Sequence, residues 1–278
     1  MQPITTEIVS RTIIKRPADS HKGNYGRIML IGGNQNFGGA IIMAATAATY
    51  SGAGLVTVAT DPSNFTSLHA RLPEAMVIDY HQTDTLLNLL AGMDVIVIGP
   101  GLGTDTVADQ LLTAVLAATH VPQRLVIDGS ALTLLAQQAR TLPATDIVVT
   151  PHQMEWQRLS GIAIKDQTPT ANHDAQQRLG VTAVVKAHRT TVYTDERVWF
   201  NPGGTPAMAT GGMGDTLAGM IGSFVSQFHN FTDAVLSAVY LHSAIADDLA
   251  ATRYVVLPHQ ISTRIPTYMH RFSQIERP

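Results

Sequence analysis

NPGGTPAMATGGMGDTLAGMIGSF, residues 201–224, sets five glycines and a single carboxylate ahead of an apolar helical run. Leu217, Met220, Ile221 and Phe224 recur at helical spacing, so the pattern predicts a helix starting near Asp215. The preceding Thr210-Gly211-Gly212-Met213-Gly214 resists regular structure, because glycine loses the most conformational freedom on ordering. Two readings of the stretch stand open. In one it is a loop with Asp215 as an ordinary helix N-cap, a position that Asp favours. In the other, bare backbone N–H groups and a helix N-terminus form a cradle for phosphate.

On either side of this stretch, short apolar runs alternate with helical patterns from Gly26 onward. Residues 26–33 (GRIMLIGG) predict a buried strand, and 40–52 (AIIMAATAATYSG) a helix of small residues closed by glycine. Further strands are predicted at 55–60 (LVTVAT), 75–80 (AMVIDY) and 94–100 (DVIVIGP), the last followed by a helix through 105–119. Residues 124–129 (RLVIDG), a helix near 131–139 and 146–150 (DIVVT) continue the alternation. Residues 181–186 (VTAVVK) predict a strand, and 190–200 (TTVYTDERVWF) a hairpin turning at Asp195-Glu196. Helices over 215–228 and 232–250 close the pattern. Continuous Val/Ile/Leu runs separated by helices predict a parallel sheet covered on both faces. No repeat, low-complexity segment or Ser/Pro-rich linker interrupts it, so one domain over 1–278 is expected.

Composition narrows the function classes. Across 278 residues, 45% are hydrophobic and 14% charged, enough for a sizeable core and unlike a disordered chain. A net charge of −3 gives no electrostatic case for nucleic acid or for an anionic membrane surface. Cysteine is absent, which excludes disulfides, zinc–thiolate sites and thiol nucleophiles. The N-terminal MQPITTEIVSRTIIKRPADS has no signal-peptide core, and no apolar run has membrane-spanning length. A soluble, cytoplasmic protein is expected.

In a sheet of this kind the ligand crevice lies beyond the carboxyl ends of the strands. The residues expected there are glycine-rich or polar: Gly32-Gly33-Asn34, Gly99 to Gly103, Asp128-Gly129-Ser130, Thr150-Pro151-His152 and Lys186. Gly33 and Gly38 have P-loop spacing, but Gly39-Ala40 stands where Lys-Ser/Thr is required. The glycines at 99, 101 and 103 lack the dinucleotide G-x-G-x-x-G spacing, and there is no H-E-x-x-H. Ser130 and Ser160 lack a nucleophile-elbow context.

HKGNYGRIMLIGG (21–33), SGAGLVTVAT (51–60), GPGLG (99–103), TPHQMEWQRLSG (150–161), VVKAHRT (184–190) and above all NPGGTPAMATGGMGDTLAGMIG (201–222) carry a resemblance. They resemble the ADP/ATP-dependent NAD(P)H-hydrate dehydratases of the ribokinase-like superfamily, over roughly residues 15–250. The resemblance implies a ribokinase-like three-layer α/β/α sandwich with a mostly parallel central sheet. It also implies the dehydratase alone, without the companion epimerase domain, so that a separate NAD(P)H-hydrate epimerase would supply its substrate epimer. A homotetramer is the assembly common in the family.

The implied chemistry starts from a nicotinamide cofactor hydrated at C6. Hydroxide is a poor leaving group and phosphate a good one. The hydroxyl of the S epimer is therefore phosphorylated from ADP or ATP, and phosphate is eliminated to restore NAD(P)H. Phosphoryl transfer needs charge stabilisation and in-line positioning more than covalent catalysis. By the resemblance, Gly211, Gly212, Met213 and Gly214 form the anion hole, and Asp215 takes the hydroxyl proton and contacts the substrate. The helix dipole is expected to lower the Asp215 pKa. Ala40, Gly103 and His152 match substrate contacts, and Lys186, Ala187, His188, Arg189 and Thr190, with Gly214, the nucleotide site. Glu155 matches the superfamily acid that organises Mg2+, through water.

Bland readings stand beside these. Ala40 and Gly103 also suit plain helix-on-sheet packing, and Glu155 an exposed first-turn carboxylate. The chain departs from the family pattern at Ala187 and Arg189, where glycines are usual, so Arg189 either adds charge near the phosphates or is solvated. Asp128-Gly129-Ser130 stands where Asp-Ala-Asp is common, one carboxylate short. His21 and Lys22 read as structural, and His242 as a satisfied core residue; His81, His120, His173 and His188 show no metal spacing. A ribokinase-like kinase of a vitamin precursor, such as hydroxyethylthiazole or hydroxymethylpyrimidine, shares the fold and Asp215; a silent nucleotide sensor would not need the base.

Overall fold

Residues 28–31 are apolar without alternation, and the computed structural model shows what that run is for. Ile28 and Leu30 enter one hydrophobic core while Met29 and Ile31 enter a second on the opposite face of the strand. Val95 and Val97 divide from Ile96 and Ile98 in the same way. A strand covered on both faces has no polar side to show. The structure describes residues 1–138 and 140–275.

Ten strands form one sheet: β1 Gln2–Pro3, β2 Arg27–Ile31, β3 Leu55–Thr60, β4 Met76–Asp79, β5 Val95–Ile98, β6 Arg124–Ile127, β7 Asp146–Val149, β8 Thr182–Val185, β9 Thr191–Tyr193 and β10 Val198–Phe200. Their order is β1-β10-β9-β8-β7-β6-β5-β2-β3-β4. Only β9 is paired antiparallel to its neighbours. The chain winds outward from β2 through β3 to β4, then returns to lay β5 on the other side of β2. The reversal opens a crevice between the carboxyl ends of β2 and β5.

The helices are α1 Thr6–Thr12, α2 Gly38–Tyr50, α3 Phe65–Arg71, α4 Thr83–Leu90, α5 Thr106–Ala118, α6 Gly129–Gln137, α7 Gln153–Ser160, α8 Pro169–Leu179, α9 Met213–Gln227, α10 Phe231–Ala250 and α11 Pro258–Ser273. Helices α1, α2, α3, α9, α10 and α11 bury their apolar residues in the core on one face of the sheet. Helices α4 to α8 do so on the other, which completes the three-layer α/β/α sandwich.

The small-residue helix α2 packs on α9. Ala44, Ala45, Ala47 and Ala48 are fully buried, and a Cβ at Gly219 would lie 2.0 Å from the Ala44 carbonyl oxygen. Small residues thus let the two backbones approach and align both helix N-termini with the carboxyl ends of the strands. An extra methyl group in a packed interior of this kind costs about 1–3 kcal/mol.

Three sequence expectations need correction. The chain closes on α11 rather than on the helix expected over 232–250, which is α10; Pro266 lies inside α11 and disguises it, while Ile261 and Ile265 are fully buried. The helix expected from Asp215 starts at Met213, with Gly212 in the N-cap position. The helix expected near 131–139 begins earlier, at Gly129, and its last residue, 139, lies outside the described residues.

Candidate active site at the carboxyl ends of the strands

Lys186 is the first residue beyond β8. Its backbone N–H donates to the Pro151 carbonyl at 2.8 Å, and it pairs in register with His152, so the ends of β7 and β8 are held together. Its Nζ donates to Asp128 Oδ1 at 2.9 Å. Asp128 follows β6 and is 2% exposed, and the same Oδ1 accepts from Thr150 Oγ1 at 2.6 Å. Three successive strand ends therefore converge on one buried ion pair. Burial acts to pull the Lys186 pKa down, but Asp128 and then Glu155 outweigh it and hold the ammonium above its ordinary value.

The glycine loop meets this pair. Gly212 has φ 93, the left-handed conformation that glycine adopts at no steric cost. It turns the chain into α9 and presents the first-turn N–H groups to the crevice. Among the described residues, no acceptor is in place for the N–H groups of Gly211, Gly212, Met213 and Gly214. A Cβ at Gly214 would lie 2.9 Å from Lys186 Nζ. The ammonium therefore sits against the first turn of α9, beside the free donors.

Asp215 is the third residue of α9, so the N-cap reading fails. The dipole expectation fails too: the Asp215 pKa is pushed up to about 6, by burial first and then by Asp128, with Lys186 pulling the other way. A helix N-terminus carries roughly half a charge. Desolvation and a neighbouring carboxylate outweigh it here. A half-buried carboxyl that titrates near neutrality is a better base than an exposed aspartate.

His152 caps α7. Its Nδ1 accepts from the backbone N–H groups of Met154 at 3.1 Å and Glu155 at 3.2 Å, while the backbone N–H of His152 donates to Glu155 Oε2 at 2.8 Å. An Nδ1 that accepts leaves the proton of the neutral ring on Nε2. The Nε2 of the half-exposed ring lies 3.5 Å from Glu155 Oε1, on the side of that carboxylate. Glu155 is 8% exposed, so the exposed-carboxylate reading fails. Burial first raises its pKa above the ordinary carboxylate range, against the pull of Lys186.

A cavity of about 460 Å³ opens beside Lys186, the size of a small-ligand pocket. Lys186, Ala187, His188, Thr190, Met213 and Gly214 are among its lining residues, with Gly203 to Pro206 and His242. Arg189 is exposed and does not line it. Asn201 ties the turn to α10: its N–H donates to the Thr190 carbonyl at 2.8 Å and its Nδ2 to Ser243 Oγ at 2.7 Å. His242 is buried, but its Nε2 has no hydrogen-bond partner, contrary to the reading of a satisfied core histidine. Its pKa is pulled down to about 4 by burial and then by Lys186, so the ring is neutral.

At the reversal between β2 and β5 the loops after the two strands pack closely on each other. The N–H groups of Gly33 and Asn34 donate to the carbonyls of Pro100 and Gly101 at 2.9 and 2.8 Å. A Cβ at Gly101 would meet the Phe37 carbonyl at 2.3 Å and the Ala40 Cβ at 3.0 Å. Gly103, at φ 87, lies against Asn34. Ala40 and Gly103 thus both border these packed loops. Met43, one turn beyond Ala40, reaches the place that a side chain at Gly212 would fill, so α2 adjoins the glycine loop. A larger cavity of about 1330 Å³, lined by Arg11, Arg16, Tyr25 and His270 among others, borders the segment before β2, at the other end of the strands.

Sequence reasoning missed Asp128 as a partner of Lys186. Its place at the end of β6 was the available signal.

A family model described as NAD(P)H-hydrate dehydratase matches residues 28–267. The chain is 99% identical, over the full length of both, to a Lactiplantibacillus plantarum protein named ADP-dependent (S)-NAD(P)H-hydrate dehydratase. A crystal structure of a ribokinase-like superfamily protein from Enterococcus faecalis is 51% identical, with TM-score 0.97, over 99% of this chain and 97% of that one. At 30% identity and TM-score 0.86, the ADP/ATP-dependent NAD(P)H-hydrate dehydratase of Bacillus subtilis, co-crystallised with ATP and Mg2+, matches over 98% of each chain.

Proposed function

The chain belongs to the NAD(P)H-hydrate dehydratase family, and from that premise we propose how its crevice carries out the ADP-dependent dehydration of (S)-NAD(P)H hydrate. The nucleotide enters the cavity beside Lys186 and Thr190 with its phosphates toward the first turn of α9. The free N–H groups of 211–214 and the Lys186 ammonium receive the transferred phosphoryl group, where charge develops. The hydrated ring lies near Ala40 and Gly103, where the absence of bulk allows close backbone approach, with His152 at its edge.

Asp215 takes the proton of the C6 hydroxyl as its oxygen attacks the terminal phosphorus of the nucleotide. The bond from that phosphorus to the bridging oxygen breaks, and AMP leaves when ADP is the donor. In the second half, the C6–O bond breaks and phosphate departs with the electron pair. Loss of a proton from C5 then restores the ring double bond. The observation that carries this reading is the position of Lys186 Nζ against Gly214, which sets a fixed cation beside free N–H donors and a carboxyl of pKa about 6.

The donor set fits magnesium brought with the nucleotide. Mg2+ keeps several waters and binds through one or two carboxylates plus phosphates. Among the described residues there is no group of three or more that could hold a metal directly. Glu155 would hold the ion through water, and the ion would supply charge neutralisation on the phosphates. The resemblance to the family supports a single dehydratase domain, a homotetramer and a separate epimerase, and the need for ADP and NAD(P)H hydrate supports a cytoplasmic setting. The vitamin-precursor kinase reading is set aside because the family match and the 99% identical relative both point to the dehydratase.

Incubation with hydrated NADH and ADP tests the proposal. Recovery of the dihydronicotinamide absorbance that depends on the nucleotide is the expected result. No recovery, alongside phosphorylation of a thiazole or pyrimidine alcohol, would contradict it.

A further inference from the structure

Asp128 does not line the nucleotide cavity, yet it is more deeply buried than any other charged group of the cluster. A buried carboxylate carries a desolvation penalty of the same order as what a good ion pair returns. The partner it holds is the most mobile type of charge in the site. A lysine ammonium stands on a flexible stem of four carbons and keeps much rotamer freedom unless it is held. Left untethered, Lys186 has two other carboxylates to turn to, Glu155 and Asp215, both of which interact with it.

Asp128 prevents that choice. Its Oδ1 holds Lys186 Nζ at 2.9 Å, and Thr150 Oγ1 fixes the carboxylate from β7 at 2.6 Å. The tethered ammonium then occupies the space left free by Gly214. We propose that Asp128 is a positioning residue for phosphoryl transfer: it holds the Lys186 ammonium over Gly214 and off Asp215, so that the lysine faces the transferred phosphate while the aspartate stays free to take the hydroxyl proton. The assignment rests on the phosphoryl-transfer reading of the crevice.

The charged groups that bear on Asp215 are Asp128 from the end of β6, Lys186 from the end of β8 and Glu155 from α7. Asp128→Asn keeps the shape and can still accept from Thr150, but it removes a carboxylate that raises the Asp215 pKa. It also weakens the tether on Lys186, which lets the ammonium shift toward Asp215 and lowers that pKa further. Two linked effects are expected. The rate kcat falls about 100-fold, as for a misplaced catalytic group, with KM for ADP within a few-fold. The acid limb of the kcat/KM profile, at about pH 6 in the parent protein, moves to lower pH.

A structural role alone would lower the melting temperature without moving the limb. Asp128→Glu, which retains the charge, should recover part of kcat and return the limb toward its original position. Should Asp128→Asn fail to fold, Thr150→Val loosens the same carboxylate without removing it, and should lower kcat and move the limb in the same direction. An unchanged kcat and limb in the folded variant overturns the proposal. Absence of ADP-dependent turnover in the parent protein would instead overturn the phosphoryl-transfer reading.

Discussion

Lys186 Nζ stands 2.9 Å from the point where a side chain at Gly214 would begin. The cation and the glycine therefore have to be read together: one fills the space that the other leaves. Gly214→Ala tests the pairing. Alanine is favoured over glycine in a helix by about 1 kcal/mol, and the clash falls on the flexible end of a lysine that can swing aside. Melting temperature should hold or rise while kcat drops about 100-fold through displacement of the ammonium. Normal turnover in the variant would show that the ammonium has no part in the reaction.

Asp215→Asn should lower kcat by about 10²–10⁴, the usual cost of losing a general base. Because the change is isosteric, calorimetric affinity for ADP should stay within a few-fold. Turnover within a few-fold of the parent would remove Asp215 from the role of base.

The raised Asp215 pKa fixes a pH dependence for both activity and stability. The base acts ionised, so kcat/KM should fall as pH drops through about 6. The sign for stability is opposite. A carboxyl whose folded pKa lies above its unfolded value of 3.8 stabilises the fold in its protonated form, and that contribution is lost as pH rises through about 6. Asp215→Asn should therefore melt higher than the parent above neutrality, with the difference shrinking toward acid. Parallel melting curves at all pH values would contradict the burial account.

Arg189 is exposed and lies off the wall of the nucleotide cavity. Arg189→Gly should leave ADP affinity within about fivefold, since exposed charges contribute about 0–1 kcal/mol, and should leave its salt dependence unchanged. A marked loss of affinity that disappears at high salt would place the guanidinium on the phosphates.

Much of this was legible in the sequence for physical reasons. The runs at 28–31 and 95–98 announced a sheet covered on both faces, because no residue in them could face water. The strand-end positions of Lys186 and His152 and the first-turn position of Asp215 were legible because strand ends and helix starts are where such a sheet exposes its backbone. Helix α11 was hidden by Pro266, a residue that removes an internal hydrogen bond. The bond between Asp128 and Lys186 spans 58 positions and exists only because β7 lies between β6 and β8. The direction of the Asp215 shift was misread for the same reason: the helix was visible in the sequence, but the carboxylate opposite it was not.

In the proposed mechanism the departing oxygen leaves as phosphate and not as water. Hydrated NADH carrying oxygen-18 in the C6 hydroxyl, turned over with ADP, tests this directly. Phosphorylation of that hydroxyl followed by C6–O cleavage predicts that the label appears in inorganic phosphate, one labelled phosphate for each NADH restored. Label recovered in water, with unlabelled phosphate, would contradict the account.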